Sequence, residues 1–156
     1  MQQLSRQIHT CLLERKKTLA VAESCTGGLL CGILTARSGS SGFFLLGIVA
    51  YSNRAKIRLL KVPAPILRKA GAVSRPVALA MAENVRALAK ADFGIGITGI
   101  AGPTGGTRKK PVGTVFISVA NAKKALLRRF LFPGSRAQVR RQACSAALKM
   151  LKALVD

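Results

Sequence analysis

Apolar residues along the chain follow two spacings, and each spacing predicts a different kind of element. Short apolar runs that end in polar or glycine-rich turns are typical of buried β-strands. Three such runs occupy residues 18–22, 43–50 and 93–98. Elsewhere apolar residues recur every three or four positions, which is the period of an amphipathic helix. This second pattern predicts helices over residues 3–16 and 29–34 and after Ser74.

Capping residues indicate three more helices and their ends. Each begins or ends at a residue type that favours a helix terminus. These are a short helix opened by Ser52 or Asn53, with Lys56 in or near its first turn; a second bracketed by Pro63 and Gly71; and a closing helix begun by Ser135 with Gln138 three residues later.

Two further apolar runs, residues 112–120 and 125–132, flank the turn 121–124 and predict an antiparallel hairpin. The order of helices and strands then predicts an α/β fold, a three-layer α/β/α domain with a mixed five-stranded sheet. A chain of 156 residues can bury one core but does not accommodate two full domains. We therefore expect one domain over residues 1–156.

Charge narrows the classes of partner. Lysine and arginine total 26 against 5 aspartates and glutamates, a formal net charge of +21. Such a surface attracts anions, including phosphates, nucleotides and nucleic acid. Proteins that bind single strands interleave basic residues with aromatic ones, but this chain has one tyrosine and no tryptophan. The low aromatic content weakens the nucleic-acid interpretation without removing it.

Cysteine spacing and the apolar runs exclude several other classes. The four cysteines, at positions 11, 25, 31 and 144, show no paired short spacing, and His9 is the only histidine. Neither a zinc site nor a disulfide framework is indicated. The longest apolar run, residues 43–51, is too short to span a bilayer, and the N-terminus has no apolar signal core. We expect a cytoplasmic protein that needs no metal or other cofactor.

The first predicted strand leads into a turn that combines an acid, two hydroxyls and a thiol with two glycines. Its residues are Glu23, Ser24, Cys25, Thr26, Gly27 and Gly28. The first N–H groups of the following helix have no partner within the helix, so a nucleophile or an anion there meets donors already in position. The alternative is purely structural, because Glu23, Ser24 and Thr26 are also residues that cap helices.

Polar or glycine-rich segments also follow the second and third strands. Tyr51 and Lys56 follow one, and Thr98 and the glycine-rich loop 99–107 follow the other. In open α/β sheets, sites form beyond the carboxyl ends of the strands. The loop fits an oxyanion-binding segment, although its spacing alone is equally compatible with a flexible connection. Arg140 and Arg141 in the closing helix are candidate counter-charges for a phosphate or members of a solvated face.

Four motifs in this order closely resemble the nicotinamide-nucleotide amidohydrolases, the C-terminal domain family of the competence/damage-inducible protein CinA. They are Ala22–Gly28, Val49–Lys56, Thr98–Pro103 with Lys110–Val115, and Phe132–Arg136 with Arg140 and Arg141. The resemblance covers almost the whole chain. It implies a bacterial deamidase that converts nicotinamide mononucleotide to nicotinate mononucleotide and ammonia in pyridine-nucleotide salvage, without the separate N-terminal domain of larger family members.

The resemblance also implies a serine and lysine pair. Ser24 is then the nucleophile and Lys56 the general base, with Tyr51 positioning Lys56 or lining the pyridine pocket. Substrate-binding roles fall on the following residues: Glu23, Thr26, Gly27, Gly28, Thr98, Gly99, Gly102, Gly105, Gly106, Arg140 and Arg141. Spacing alone leaves Thr26, Cys25 and Ser52 open as alternative nucleophiles.

Partner expectations follow from the same features. We expect a small nucleotide substrate, a homo-oligomer and no membrane association. The alternative to an enzyme is a non-catalytic, basic module that associates with nucleic acid or senses a nucleotide. Ammonia release from nicotinamide mononucleotide supports the enzyme, whereas salt-sensitive retention of nucleic acid without turnover supports the module.

Overall fold

The computed structural model describes residues 1–155, which form one five-stranded sheet covered by helices on both faces. The elements in chain order are α1 (Gln2–Glu14), β1 (Leu19–Glu23), α2 (Leu29–Thr35), β2 (Phe44–Val49), α3 (Asn53–Leu60), α4 (Ala64–Ala70), α5 (Arg75–Ala89), β3 (Phe93–Gly99), β4 (Thr114–Ala120), β5 (Ala125–Leu131) and α6 (Arg136–Val155). All predicted elements are present, with ends within about two residues of the predicted ones.

The sheet is mixed, as the pattern predicted. Its strand order is β2-β1-β3-β4-β5. β1 is central and runs parallel to both β2 and β3. β3 pairs with β4, and β4 with β5, in antiparallel fashion. Because β1, β2 and β3 are parallel, their carboxyl ends lie at one edge of the sheet, and the segments after all three strands meet there.

Two hydrophobic cores occupy the two faces of the sheet. One contains buried side chains of α1, α2 and α6, and the other contains those of α3, α4 and α5. β1 contributes to both, with Leu19 and Val21 on the first face and Ala20 and Ala22 on the second. The three-layer α/β/α architecture is confirmed.

Glycines in β3 allow α5 to pack directly against the sheet. A Cβ atom at Gly94 would collide with the Ala82 carbonyl oxygen, and one at Gly96 with the Ala78 carbonyl oxygen. Any larger residue at either position would push the helix away. This close packing fixes β3, which ends at the edge that receives Ser24 and Lys56.

Local signals at the helix ends act as predicted. Ser52 caps α3 by accepting a hydrogen bond from the Ala55 N–H at 3.0 Å. At α6, the Ser135 N–H donates to Gln138 Oε1 at 2.7 Å, which is half of the predicted capping box. Pro63 and Gly71 flank α4. No helix within residues 1–155 is both long and apolar enough to cross a membrane.

Candidate active site

Ser24 lies directly beyond the carboxyl end of β1. All five residues of β1 are buried, so the strand is held firmly in the centre of the sheet. The Ser24 N–H donates to the Ile97 carbonyl of β3 at 3.0 Å. Gly27 and Gly28, both with positive φ, then turn the chain into α2. This turn holds the Ser24 hydroxyl at the edge of the sheet, with 8% of the residue exposed.

Lys56 reaches the same point from α3. The residue is 1% exposed, and its Nζ atom lies 3.0 Å from Ser24 Oγ. Nζ also donates to the Ala50 carbonyl at 2.9 Å and is 3.5 Å from the Tyr51 carbonyl. The two carbonyls can take the two N–H bonds of a neutral amine, which leaves its lone pair for the Ser24 hydroxyl.

The surroundings of Lys56 disfavour the ammonium form. Burial lowers the pKa of Lys56 below its ordinary value of 10.5, and the neighbouring Cys25 opposes this shift. Within residues 1–155 no carboxylate forms an ion pair with Lys56. A buried amine without an acid partner is more readily deprotonated, as a general base must be.

A cavity of about 270 Å³ opens beside this pair. It is lined by residues after β1, β2 and β3 and by the start of α6. Seven of the expected catalytic and substrate-binding residues line it: Ser24, Tyr51, Lys56, Thr98, Gly99, Gly102 and Gly105. Cys25, one of the alternative nucleophiles, lines it as well. The expected convergence at one edge of the sheet is therefore present.

Glu23 caps the start of α2 and does not line the cavity. It is fully buried, and its carboxylate accepts hydrogen bonds from the N–H groups of Gly28, Leu30 and Cys31 at 2.8–3.2 Å. These are the unpartnered donors at the start of α2. Substrate contact by Glu23 is therefore not supported, and the capping interpretation describes this residue.

The two arginines predicted to contact the ligand, Arg140 and Arg141, do not line the cavity. Arg140 donates to the Thr26 carbonyl through Nε at 3.1 Å and Nη2 at 2.6 Å, which secures the turn after Ser24. Arg141 lines a separate surface depression with Gln138 and Gln142. Neither lines the cavity beside Ser24, so the structure does not support a substrate contact by these two arginines.

Arg136, which the sequence analysis left without a role, lines the cavity instead. Its Nη1 donates to the Gly102 carbonyl and its Nη2 to the Tyr51 hydroxyl, both at 2.7 Å. It thereby links the loop after β3 to the segment after β2. A signal was present in the sequence, because Arg136 and Arg140 are four residues apart and share one face of α6, whereas Arg141 does not.

The remaining expected ligands divide in the same way. Thr26 is fully buried, and Gly27, Gly28 and Gly106 do not line the cavity. The Gly28 N–H is already bonded to Glu23. Thr98 does line the cavity, and its hydroxyl donates to the Ala72 carbonyl at 2.8 Å. Asn53 and Thr104 also line it and were not predicted.

The contacts favour Ser24 over the other nucleophiles left open. Burial raises the pKa of the Cys25 thiol to about 12. Ser52 Oγ caps α3. Thr26 Oγ1 is buried and has no hydrogen-bond partner among the described residues. Only Ser24 combines a hydroxyl with a hydrogen-bonded amine.

Other chemistries find little support in the described residues. No group of three or more metal-ligating side chains occurs within residues 1–155. A larger concavity of about 370 Å³ lies between β5 and α6, and apolar side chains dominate its lining. It does not reach Ser24 or Lys56. The Ser24 hydroxyl and the Lys56 amine, which are in hydrogen-bond contact, line the cavity beyond β1 instead.

Comparisons with known proteins show the family to which this chain is similar. The model of the CinA C-terminal domain matches residues 1–155. A CinA-like protein of Syntrophus aciditrophicus is 52% identical over 165 residues, covering 97% of this chain and 39% of the relative. One from Geotalea daltonii is 53% identical over 135 residues, covering 86% of this chain and 33% of the relative. This chain thus spans between a third and two fifths of these relatives.

Solved structures show the same fold. The competence/damage inducible protein CihA from Agrobacterium tumefaciens superposes with a TM-score of 0.97 and 38% identity, covering 99% of this chain and 95% of that protein. A competence-damaged protein (CinA) superfamily protein from Escherichia coli gives a TM-score of 0.92 at 34% identity, covering 97% and 88%. The architecture is therefore shared along nearly the whole chain.

Proposed function

Because this chain belongs to the CinA C-terminal domain family, we propose that its Ser24–Lys56 pair hydrolyses a carboxamide, that of nicotinamide mononucleotide. The observation that carries the proposal is the 3.0 Å contact between Ser24 Oγ and Lys56 Nζ beside an open cavity. The products are nicotinate mononucleotide and ammonia, and the reaction belongs to pyridine-nucleotide salvage in the cytoplasm.

The proposed reaction has two halves. Ser24 Oγ attacks the carboxamide carbon while neutral Lys56 takes the hydroxyl proton, which gives a tetrahedral intermediate. The C–N bond breaks as Lys56 returns the proton to the leaving nitrogen, so ammonia departs and an ester to Ser24 remains. Water, deprotonated by Lys56, then attacks the ester, and the nicotinate carboxylate leaves as Ser24 regains its proton.

The negative oxygen of the intermediate needs hydrogen-bond donors. The N–H groups of Ser24, Gly27 and Gly28 donate to Ile97, Ser24 and Glu23 respectively. The N–H group of Cys25, next in the chain after Ser24 and part of the cavity lining, is therefore the candidate for the oxyanion site. One such donor typically lowers the barrier by about 3 kcal/mol.

The cavity also offers a place for the nucleotide phosphate. Arg136 lines the cavity with its guanidinium group bonded to Gly102 and Tyr51, and Thr104 and Gly105 line the cavity as well. A guanidinium fork matches phosphate geometry. We assign the phosphate to Arg136 rather than to Arg140 or Arg141, while Tyr51, which Arg136 holds through the hydroxyl, borders the pyridine ring.

The experiment measures ammonia and nicotinate mononucleotide from nicotinamide mononucleotide, with wild type, Ser24→Ala and Ser41→Ala. Ser41 is an exposed serine in the single helical turn before β2, so it serves as the matched control. We expect turnover by wild type and Ser41→Ala and none by Ser24→Ala. Turnover that survives in Ser24→Ala rejects the nucleophile, and its absence from wild type rejects the substrate.

A second comparison tests the phosphate assignment. Arg136→Gln is assayed with nicotinamide mononucleotide and with nicotinamide riboside, which lacks the phosphate. If Arg136 binds the phosphate, kcat/KM falls by about tenfold or more for the mononucleotide and much less for the riboside. Equal losses for both substrates assign Arg136 to loop positioning instead.

A further inference from the structure

A second polar pocket lies at the opposite end of the sheet from Ser24. It has a volume of about 360 Å³ and lies among three segments: the residues before β1, the turn from α5 into β3, and the β4–β5 turn. Lys17 and Ser24 flank the two ends of β1 and are seven residues apart. At about 3.3 Å per residue the two sites are separated by roughly 23 Å.

Positive charge dominates this pocket. Its lining includes Lys17, Arg86, Lys90 and Lys123 against one acid, Asp92. Asp92 is already engaged, because Oδ1 accepts from Lys17 Nζ and Oδ2 accepts from the Thr18 N–H and hydroxyl, all at 2.9 Å. Three cationic side chains therefore share the pocket with no acid of their own among residues 1–155.

Arg86 supplies an independent observation. Its Nε is buried, and no hydrogen-bond acceptor within residues 1–155 reaches it. A buried donor without a partner is destabilising, and more so when the group is charged. Natural proteins keep few such groups, so the Arg86 guanidinium at the pocket wall retains hydrogen-bonding capacity that no described residue uses. A guanidinium presents its donors in a fork that fits two phosphate oxygens.

Several backbone N–H groups around the pocket already have acceptors within the protein, so an anion would be bound by side chains. The carbonyls of Arg86 and Ala87 at the end of α5 accept from the N–H groups of Ala91 and Lys90. In the β4–β5 turn, Asn121 Oδ1 accepts from the N–H groups of Lys123 and Lys124, both at 2.9 Å. The turn that carries Lys123 is thus held in one conformation beside Arg86 and Lys90.

We propose that this pocket is a second anion site that binds a free oligophosphate group, such as the diphosphate or triphosphate of a small molecule. Three cations without an acid partner among residues 1–155, grouped around one concavity, match a compact, multiply charged group. A nucleic-acid strand fits less well, because Phe93 is the only aromatic residue in the lining and is 6% exposed. The pocket therefore offers no surface on which bases stack.

The test uses the whole chain and inorganic diphosphate as the probe. Binding is measured by calorimetry and by amide chemical shifts in wild type, Arg86→Gln and Lys69→Gln. Lys69 is an exposed lysine in the last turn of α4, outside both cavities, and controls for the loss of one charge. Lys123→Gln, in an exposed turn, provides a second variant if Arg86→Gln folds poorly.

We expect diphosphate to shift the amides of residues 90–92 and 121–123. Arg86→Gln or Lys123→Gln should weaken this binding by about tenfold or more, and Lys69→Gln by less than about twofold, because only charge-assisted hydrogen bonds carry an effect of that size. Shifts confined to residues 99–105, or equal losses in Lys69→Gln, overturn the proposal. Binding of oligothymidylate without binding of diphosphate also overturns it.

Discussion

A lysine lies near each end of β1: Lys17 precedes the strand, and Lys56 reaches its carboxyl end from α3. The two lysines have opposite surroundings. At the amino end, Lys17 Nζ lies 2.9 Å from Asp92 Oδ1, with side chains 46% and 35% exposed. At the carboxyl end, Lys56 is buried and contacts a hydroxyl and two carbonyls. A nearby carboxylate and water stabilise an ammonium ion, whereas burial without an acid destabilises it. Of these two lysines, Lys56 is therefore the one whose surroundings favour the neutral form that the proposed general base requires.

Removal of the Ser24 hydroxyl has the largest expected effect. Ser24→Ala should lower kcat by at least about 10³-fold, because no other hydroxyl is bonded to Lys56 and the nucleophile is lost. The dissociation constant for nicotinamide mononucleotide and the melting temperature should change little. Near-normal kcat in this variant would show that Ser24 is not the nucleophile, whatever the protonation state of Lys56.

Replacement of the buried Lys56 tests whether this lysine is the general base. Lys56→Met should lower kcat by about 10²- to 10⁴-fold, since a general base is removed. The melting temperature should stay the same or rise, because a buried amine is replaced by an apolar side chain of similar length. Lys17→Met is the matched control and should leave kcat unchanged. Unfolding of the Lys56 variant at the assay temperature would instead mark Lys56 as a structural residue.

The pH dependence follows from the lowered pKa of Lys56. The neutral amine is the active form, so kcat/KM should rise with pH and level off below pH 10.5, the ordinary value for lysine. Stability has the same sign, because the unfolded chain binds a proton that folded Lys56 releases. The free energy of unfolding should therefore increase with pH up to about 10.5 in wild type, and Lys56→Met should lack that part of the increase.

Much of this arrangement could be predicted from the sequence, and the reason is topological. Three apolar runs predicted strands of a mixed α/β sheet, and sites in such sheets form beyond the carboxyl ends of the strands, so Ser24 and Lys56 were expected to meet. The structure shows that these three strands are parallel. Arg136 was not distinguished from Arg140, because both are long side chains on one face of α6. Arg136 is the one at the cavity, where it donates to the Gly102 carbonyl and the Tyr51 hydroxyl. The tertiary fold brings these two acceptors to Arg136, and the spacing of the arginines does not reveal them.

The role of Glu23 could not be settled from the sequence for a related reason. An acid at the end of a buried strand is compatible with a ligand-binding role or a capping role, and spacing does not separate them. Its direction became clear only from the positions of three N–H donors in α2. These bonds also explain why the acid next to Ser24 in the chain does not pair with Lys56.

A smaller effect is expected from neutralising Glu23. Glu23→Gln places an amide NH₂ group among backbone donors and should lower the free energy of unfolding by about 1–3 kcal/mol. Urea denaturation measures this, with Glu83→Gln, an exposed residue of α5, as the control. An unchanged free energy of unfolding together with a higher KM would return Glu23 to the substrate-binding residues.

The smallest effect belongs to the amino end. Burial raises the pKa of Asp92, but hydrogen bonds from Lys17 and Thr18 outweigh it and hold the pKa below its ordinary value of 3.8. The resulting stability is present above pH 3.8 and is lost as the pH falls through the folded-state pKa. Asp92→Asn should cost up to about 1 kcal/mol, less at high salt, with kcat unchanged. A loss of turnover in Asp92→Asn would show that the amino end of β1 also contributes to catalysis.

The protonation state of Lys56 can be observed without any substrate. An NMR titration follows the side-chain Cε and Nζ resonances of Lys56, assigned by their absence from Lys56→Met. Our account predicts a midpoint below 10.5, because burial disfavours the ammonium form of Lys56. A midpoint at or above 10.5 would mean that the amine beside Ser24 stays charged in the neutral range, and the proposed general base would not exist.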